Sequence, residues 1–444
     1  MHSLAPSTTN GALFPRWGTP RFATTVLIPE PREHLTLPQT DETPEKIGIL
    51  IPQFPGQTHI FFWREILELK KMGVNVTLFS TRPPPPALIS HGWSQDAMSR
   101  TTYLVDKNPL NAACALSRLP LRRLSGDLRI EPREFAKDLL LSMPSARRLA
   151  FTCQSLGIKH VHAHSARRAA TICALAKLVY GLDYSLTLHG PLTDYGPGQR
   201  FKWRHARFGT VITEKLRVEL KEAVGADLPE RVYLQPMGVD TEELDRPGAY
   251  IPPQRGQTLR LFSCARLNIV KGHQDLMEAV RLLTDRGLDV SLEIAGEDDE
   301  GGSGFRGELE AKIDELGLED KISLLGAISA DAVRAKLLEA DIFVLASWHE
   351  PLGVAYMEAM SCGVPTIGTD SGGVPELIRH EKDGLLVPPK SPSALADAIS
   401  SLAADPEKLA HLSRAGRARI ETGFSSREGA ITLLKGMTES KISP

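Results

Sequence analysis

Short unbroken apolar runs, each closed by a glycine, proline or polar turn, alternate along the chain with longer segments whose apolar residues recur at three- and four-residue spacing. The first run is Lys46-Ile47-Gly48-Ile49-Leu50-Ile51, the pattern of a strand buried on both faces. A turn over 52–58 leads into a helix carrying Ile60, Phe61, Ile66, Leu67 and Leu69, which stops near Met72-Gly73 before a strand over 74–79. Further strands are predicted over 159–164, 184–188, 210–213 and 231–234, with a helix over 169–179. The alternation restarts with strands over 259–264, 290–295, 321–325, 342–346, 365–368 and 384–387, a helix over 274–284, and helical periodicity from 391 to 441. Two successive strand–helix series predict an α/β protein with two parallel sheets.

The boundaries follow from breaks in this pattern. Residues 1–45 are rich in Pro, Thr and Ser without a sustained period, and read as a disordered or loosely docked arm. An N-terminal α/β domain is expected over 46–245, a linker over 246–258, a C-terminal α/β domain over 259–425, and a final helix over 426–444 packing back on the first domain. From 87 to 155 the pattern weakens to short helical pieces with Arg118, Arg122, Arg123, Arg129 and Arg133, interrupted by Asp127, Glu131 and Glu134. This reads as a solvated helical insert, the alternative being contact with an anionic acceptor or a membrane surface. Residues 199–208 mix Arg200, Lys202, Arg204 and Arg207 with Phe201, Trp203 and Phe208, and read as an amphipathic surface helix with an exposed face.

Composition narrows the class. At 444 residues the chain exceeds one ordinary core. A net charge of −2 gives no whole-protein reason to expect nucleic acid. The 5 cysteines are scattered, with no Cys-x-x-Cys pair, and read as reduced core residues of a cytosolic protein. No apolar run reaches the roughly 18 residues of a membrane span. A cytoplasmic protein is expected, with peripheral contact at the inner face of a membrane open to it.

Candidate chemistry concentrates in 348–365. There a buried strand exits into a polar turn and a helix expected to begin near Leu352, so Glu350 lies in the loop and Glu358 about two turns into the helix. Loop amides and a helix N-terminus favour an anion, and carboxylates hold sugar hydroxyls. Arg266 and Lys271 flank the turn after the 259–264 strand, a placement suited to a diphosphate. His189 ends an apolar strand, where a crevice residue belongs. His160, His162 and His164 share one strand face and are read as structural rather than metal-ligating. The acidic run 296–302 is read as a solvated turn rather than a cation loop. The first strand is not followed by Gly-x-Gly-x-x-Gly, which disfavours a dinucleotide dehydrogenase.

Taken in order, Ala265-Arg266-Leu267 with Lys271-Gly272, Glu350 with Glu358-Ala359-Met360 and Gly363-x-Pro365, the 372–376 turn, and Asp383 to Pro388 resemble retaining GT-B glycosyltransferases of family 4. The likeness covers roughly 46–430. The segment Phe54 to Ile66 and His162-Ala163-His164 further resemble the colanic-acid-type branch of exopolysaccharide transferases. The resemblance implies two Rossmann-like domains facing a central cleft, and transfer of a sugar from a nucleotide-diphosphate sugar to a saccharide or lipid-linked acceptor, with no obligatory cofactor or metal. It assigns Arg266 and Lys271 to the diphosphate, Glu350 to the donor sugar, Glu358 to the ribose, and Gly353 and Val354 to phosphate contacts. It sets His189 beside the sugar, Gly56 in a mobile glycine loop, and Leu325, Gly326 and Ile328 near the base. The chain departs from the family in having one glycine, not two, in the first loop, and an acidic loop after Ala295. Rival classes are a GT-B epimerase or phosphorylase-like enzyme, and a nucleotide-sugar-binding protein without transfer.

Overall fold

The structure is a computed structural model, which describes residues 46–56, 59–85, 92–105, 108–298 and 304–439. The predicted arm 1–45, residues 57–58 of the first turn, 299–303 of the acidic loop and 440–444 of the final helix lie outside the described residues.

Two parallel sheets form the frame. The first holds β1 (Ile47–Ile51), β2 (Val76–Ser80), β3 (Thr101–Tyr103), β4 (His160–Ala163), β5 (Asp183–Leu188), β6 (Gly209–Val211) and β7 (Val232–Leu234), in the order β3-β2-β1-β4-β5-β6-β7. The second holds β8 (Leu259–Cys264), β9 (Val290–Ala295), β10 (Ile322–Gly326), β11 (Ile342–Val344), β12 (Thr366–Thr369) and β13 (Leu385–Val387), in the order β10-β9-β8-β11-β12-β13. All five residues of β1 are buried, as a strand covered by helices on both faces requires. In each sheet the strand order reverses once, between β1 and β4 and between β8 and β11. Ligands of open α/β sheets bind beyond the carboxyl ends of strands at such a reversal. Both series are Rossmann-like, as the strand–helix alternation predicts.

The lobes are tied together where the chain crosses between them. The Val239 amide donates to the Phe424 carbonyl at 2.9 Å, and the Ser426 amide donates to the Val239 carbonyl at 2.9 Å. A side chain on Gly238 would have its first carbon 2.2 Å from the Ser425 backbone, so this crossing admits only glycine. The helix Ser426–Glu439 then lays Ala430, Leu433 and Met437 into the cluster formed by Phe62, Trp63 and Ile66 of the helix Ile60–Lys71. Burying each large apolar side chain contributes about 1.5–3 kcal/mol.

Three expectations are corrected. The weak stretch before β4 is not only short pieces: it contains a 24-residue helix, Arg133–Leu156, and the edge strand β3. Phe135, Leu139, Met143, Ala146, Leu149 and Cys153 form its buried stripe, a helical period interrupted by Pro144. Residues 199–208 are not an exposed face, because Phe201, Lys202, Trp203 and Phe208 are all buried. Phe201 meets Phe135 edge-on, and the ammonium of Lys202 donates to the Tyr195 carbonyl at 3.1 Å. Burial pushes the Lys202 amine down to about 8. Of the cysteines, Cys153, Cys173 and Cys362 are core residues, but Cys114 is exposed and Cys264 half-buried.

Candidate active site

The second sheet's reversal brings the predicted cations and carboxylates together. The loop after β8 carries Arg266 and Lys271, and the loop after its neighbour β11 carries Glu350. The following helix is Val354–Ser361, so it begins two residues later than expected and sets Glu358 just over one turn in. Gly353 precedes it with φ of 96°, and a β-carbon there would lie 2.3 Å from the Tyr356 ring. This conformation is open to glycine at little cost.

These residues line a cleft of about 320 Å³, open to solvent, between the two sheets. Its second-sheet wall includes Arg266, Lys271, Glu350, Gly353, Val354, Glu358 and Ile328. Its first-sheet wall includes Phe61, Arg64 and His189. Of the residues expected near the base, Ile328 and its neighbour Ala327 line the cleft, whereas Leu325 and Gly326 are not among its lining residues. The Gly326 carbonyl is instead occupied by the Gly296 amide at 2.9 Å. Gly56 is also absent from the described lining, and its carbonyl accepts the His59 amide at 3.0 Å. Glu297, from the acidic loop, reaches the cleft with its carboxylate 3.3 Å from the Arg306 guanidinium, which offsets its charge.

Inside the cleft the charges are already partnered. The Lys271 ammonium pairs with the Glu350 carboxylate, which also accepts the Ser347 hydroxyl at 3.2 Å. Glu358 accepts a hydrogen bond from Arg64 across the cleft at 2.6 Å. Arg64 is 3 % exposed; burial opposes its charge, but Glu358 and Glu243 outweigh that and raise its pKa above the ordinary value. Sequence reasoning missed Arg64. Four residues after Ile60 and three after Phe61, it shares with them the helix face that lines the cleft.

A second bridge lies at the rim. The Glu376 carboxylate, in the turn after β12, accepts the backbone amides of Glu214 and Lys215 at 2.6 and 2.9 Å, capping the helix Glu214–Val224 of the other lobe. A carboxylate at a helix N-terminus satisfies amides that have no partner within the helix and complements the helix dipole. Glu376→Ala should cost about 0.5–2 kcal/mol, the range for losing an N-cap. A urea titration checks this; an unchanged midpoint would count against the contact.

His189 lies at the end of β5, and its Nε2 is 3.3 Å from Nδ1 of His164. His160 and His162 share the Ser185 hydroxyl at 2.8 and 2.7 Å, and His162 also meets Thr187 at 2.8 Å. Burial, followed by the neighbouring histidines, holds His162 and His189 well below the usual imidazole range. Burial also pushes His273, at the start of the helix after Lys271, down to about 4. Each is neutral in the folded protein at pH 7, while the unfolded chain takes up protons near pH 6.5. Their contribution is therefore fully present above about pH 6.5 and is lost as pH falls toward the folded values. Thermal midpoints should fall between pH 7 and 5, and replacing His273 with asparagine should flatten that slope.

Among the described residues no group of three His, Cys, Asp or Glu is arranged to hold a metal ion, and no helix is long and apolar enough to cross a membrane.

Residues 252–419 match the glycosyl transferases group 1 family. A protein named as a colanic acid biosynthesis glycosyltransferase, WcaL of Escherichia coli strain K12, is 24% identical over 404 residues, covering 86% of this chain and 97% of that protein. The amylovoran biosynthesis glycosyltransferase AmsK of Erwinia amylovora is 32% identical over 202 residues, 44% of this chain and 48% of that protein. The crystal structure of Anabaena HepE in complex with UDP and glucose superposes with a TM-score of 0.66 at 17% identity, over 90% of this chain and 100% of that one. The C-terminal lobe is thus similar to the group 1 glycosyl transferases over residues 252–419, and the two parallel-sheet lobes have the GT-B fold.

Proposed function

We propose that the protein is a retaining transferase that moves a sugar from a nucleotide-diphosphate donor to a saccharide or lipid-linked acceptor in exopolysaccharide or glycolipid synthesis. The observation that carries this is the convergence of Arg266, Lys271, Glu350 and Glu358 on one cleft beyond β8 and β11. In this reading the Arg266 fork and the Lys271 charge hold the diphosphate, with the amides at Gly353 and Val354 adding contacts. Glu350 takes donor-sugar hydroxyls and Glu358 the ribose, while His189 approaches the sugar from the opposite wall. Charge on the leaving diphosphate is met by these two cations, so no metal is required. The acceptor hydroxyl attacks the face from which the diphosphate departs. The anomeric carbon–phosphate-oxygen bond breaks, the new glycosidic bond forms, and the acceptor proton passes to a departing phosphate oxygen. The place of action is the cytoplasm, with peripheral contact at the inner face of a membrane where the acceptor is lipid-linked.

UDP-sugars are the first donors to test, because the structural neighbour HepE is described with UDP and glucose. Thermal-shift screening against UDP, GDP and ADP selects the nucleotide, since ligand at a hundredfold excess over Kd stabilises by about 2.7 kcal/mol. The matched donor should then yield free nucleoside diphosphate and a product of unchanged anomeric configuration, with chelator present. Donor epimer without diphosphate release, or donor binding without transfer to any acceptor, would replace this reading with an epimerase or a binding protein.

A further inference from the structure

The histidines at the ends of β4 and β5 belong to a chain of side chains that starts at a carboxylate and ends at the cleft. Glu65, on the helix Ile60–Lys71 that follows β1, brings Oε1 to 3.3 Å from Nε2 of His164. Nδ1 of His164 is in turn 3.3 Å from Nε2 of His189. The neighbouring order β1-β4-β5 gathers the three residues at the strand reversal. Phe62 wedges both rings, its centroid 4.7 Å from that of His164 and 5.2 Å from that of His189. A β-carbon on Gly429, in the helix Ser426–Glu439, would lie 2.8 Å from Oε2 of Glu65, so that helix packs directly on the carboxylate.

Proton counting along this chain gives one arrangement. Nε2 of His164 is buried and makes no aligned hydrogen bond among the described residues, so the adjacent Glu65 charge decides its state. A carboxylate at that distance attracts an N–H and repels a ring lone pair, which places the proton of a neutral imidazole on Nε2. Nδ1 of His164 is then an acceptor, and its approach to His189 requires the proton of that second ring on Nε2. The two nitrogens of an imidazole diverge. His189 is left with a bare Nδ1, buried and without a hydrogen-bond partner among the described residues, on a ring that lines the cleft. Such a nitrogen pairs with a hydroxyl, which donates, and not with an ionised carboxylate, which cannot.

We propose that Glu65 and His164 are positioning residues that hold His189 with Nδ1 as a bare acceptor, and that this selects a donor sugar offering a hydroxyl there over a uronic acid offering a carboxylate. The ligand rests on the transferase reading; the tautomer does not. His164 thereby leaves the structural histidines, whereas His160 and His162 keep their Ser185 and Thr187 partners.

Nitrogen NMR of the full chain labelled at its histidines reads the tautomers without substrate, the His189 signals being those lost in His189→Gln. Wild type should show His189 protonated at Nε2 and bare at Nδ1. Glu65→Lys sets an ammonium where the carboxylate stood and should reverse the chain, with both His164 and His189 protonated at Nδ1. Glu65→Gln, whose amide both donates and accepts, should give a mixture. On the nucleotide that thermal shift selects, the affinity ratio of hexose over hexuronate donor should fall about tenfold in Glu65→Lys, the worth of one hydrogen bond, and by less in Glu65→Gln. Expressing each affinity relative to the nucleoside diphosphate alone removes any general loss of structure. Where Glu65→Lys does not fold, Glu65→Gln carries the same comparison. His189 protonated at Nδ1 in wild type overturns the proposal, as does a tautomer or an affinity ratio unchanged by the substitutions. The expected tautomers with no nucleotide-sugar bound would uphold the relay and count against the transferase reading instead.

Discussion

Arg266→Ala and Lys271→Ala should each lower kcat by about 10²–10³, the cost of removing one preorganised donor from a developing anion. The two losses should differ in kind. The Arg266 side chain is exposed at the cleft edge, so its removal should leave the fold intact and, on the proposed reading, take away contacts to the departing diphosphate. Lys271 and Glu350 are each 13% exposed and paired, so Lys271→Ala also leaves the Glu350 carboxylate unpaired where the proposed reading seats the diphosphate. That adds repulsion in the ground state, and KM should rise as kcat falls, whereas Arg266→Ala should lower kcat and kcat/KM together. Adding Glu350→Gln to Lys271→Ala should recover part of the KM increase without restoring kcat. Steady-state release of nucleoside diphosphate with the matched donor measures all three. Wild-type turnover in both single variants would remove the assignment of these residues to the leaving group.

The residues legible in the sequence were those whose position is fixed by one strand end. Arg266, Lys271 and Glu350 each follow an apolar run within a few residues, and the run's burial fixes the loop's place at the sheet edge. Contacts made between lobes were not legible, because they pair residues far apart in the chain. Arg64 and Glu358 are separated by 294 positions, and Glu376 caps a helix beginning 162 residues earlier. No local pattern records such a pairing. The helix Arg133–Leu156 was obscured differently: Pro144, normally a helix breaker, interrupts a buried stripe that runs on past it. In 199–208 the alternation of cations and aromatics suggested a solvated face. Instead the aromatics enter the core, and Arg204 finds partners in Asp127 and Asp227.

Arg64→Met should destabilise the protein by about 2–3 kcal/mol. Removing one member of a buried ion pair costs about 3–5 kcal/mol, because the other charge is left without a partner. The lower figure applies because Glu358 faces the cleft at 13% exposure and Glu243 is 42% exposed, so water reaches both carboxylates once the guanidinium is gone. Methionine keeps much of the length of the arginine's apolar stem, so lost charge rather than lost packing dominates. Glu358→Gln should recover part of that loss when added to Arg64→Met, since an amide in the cleft needs no counter-charge. A double-mutant cycle in urea should therefore give a coupling of at least about 1 kcal/mol between the two sites. The pair joins the helix Ile60–Lys71 of one lobe to the helix Val354–Ser361 of the other. If it helps to hold the cleft closed, Arg64→Met should also separate the unfolding of the lobes and lower the apparent m-value. A midpoint within about 0.5 kcal/mol of wild type, the scatter of ordinary surface substitutions, would show that this bridge contributes nothing to the fold.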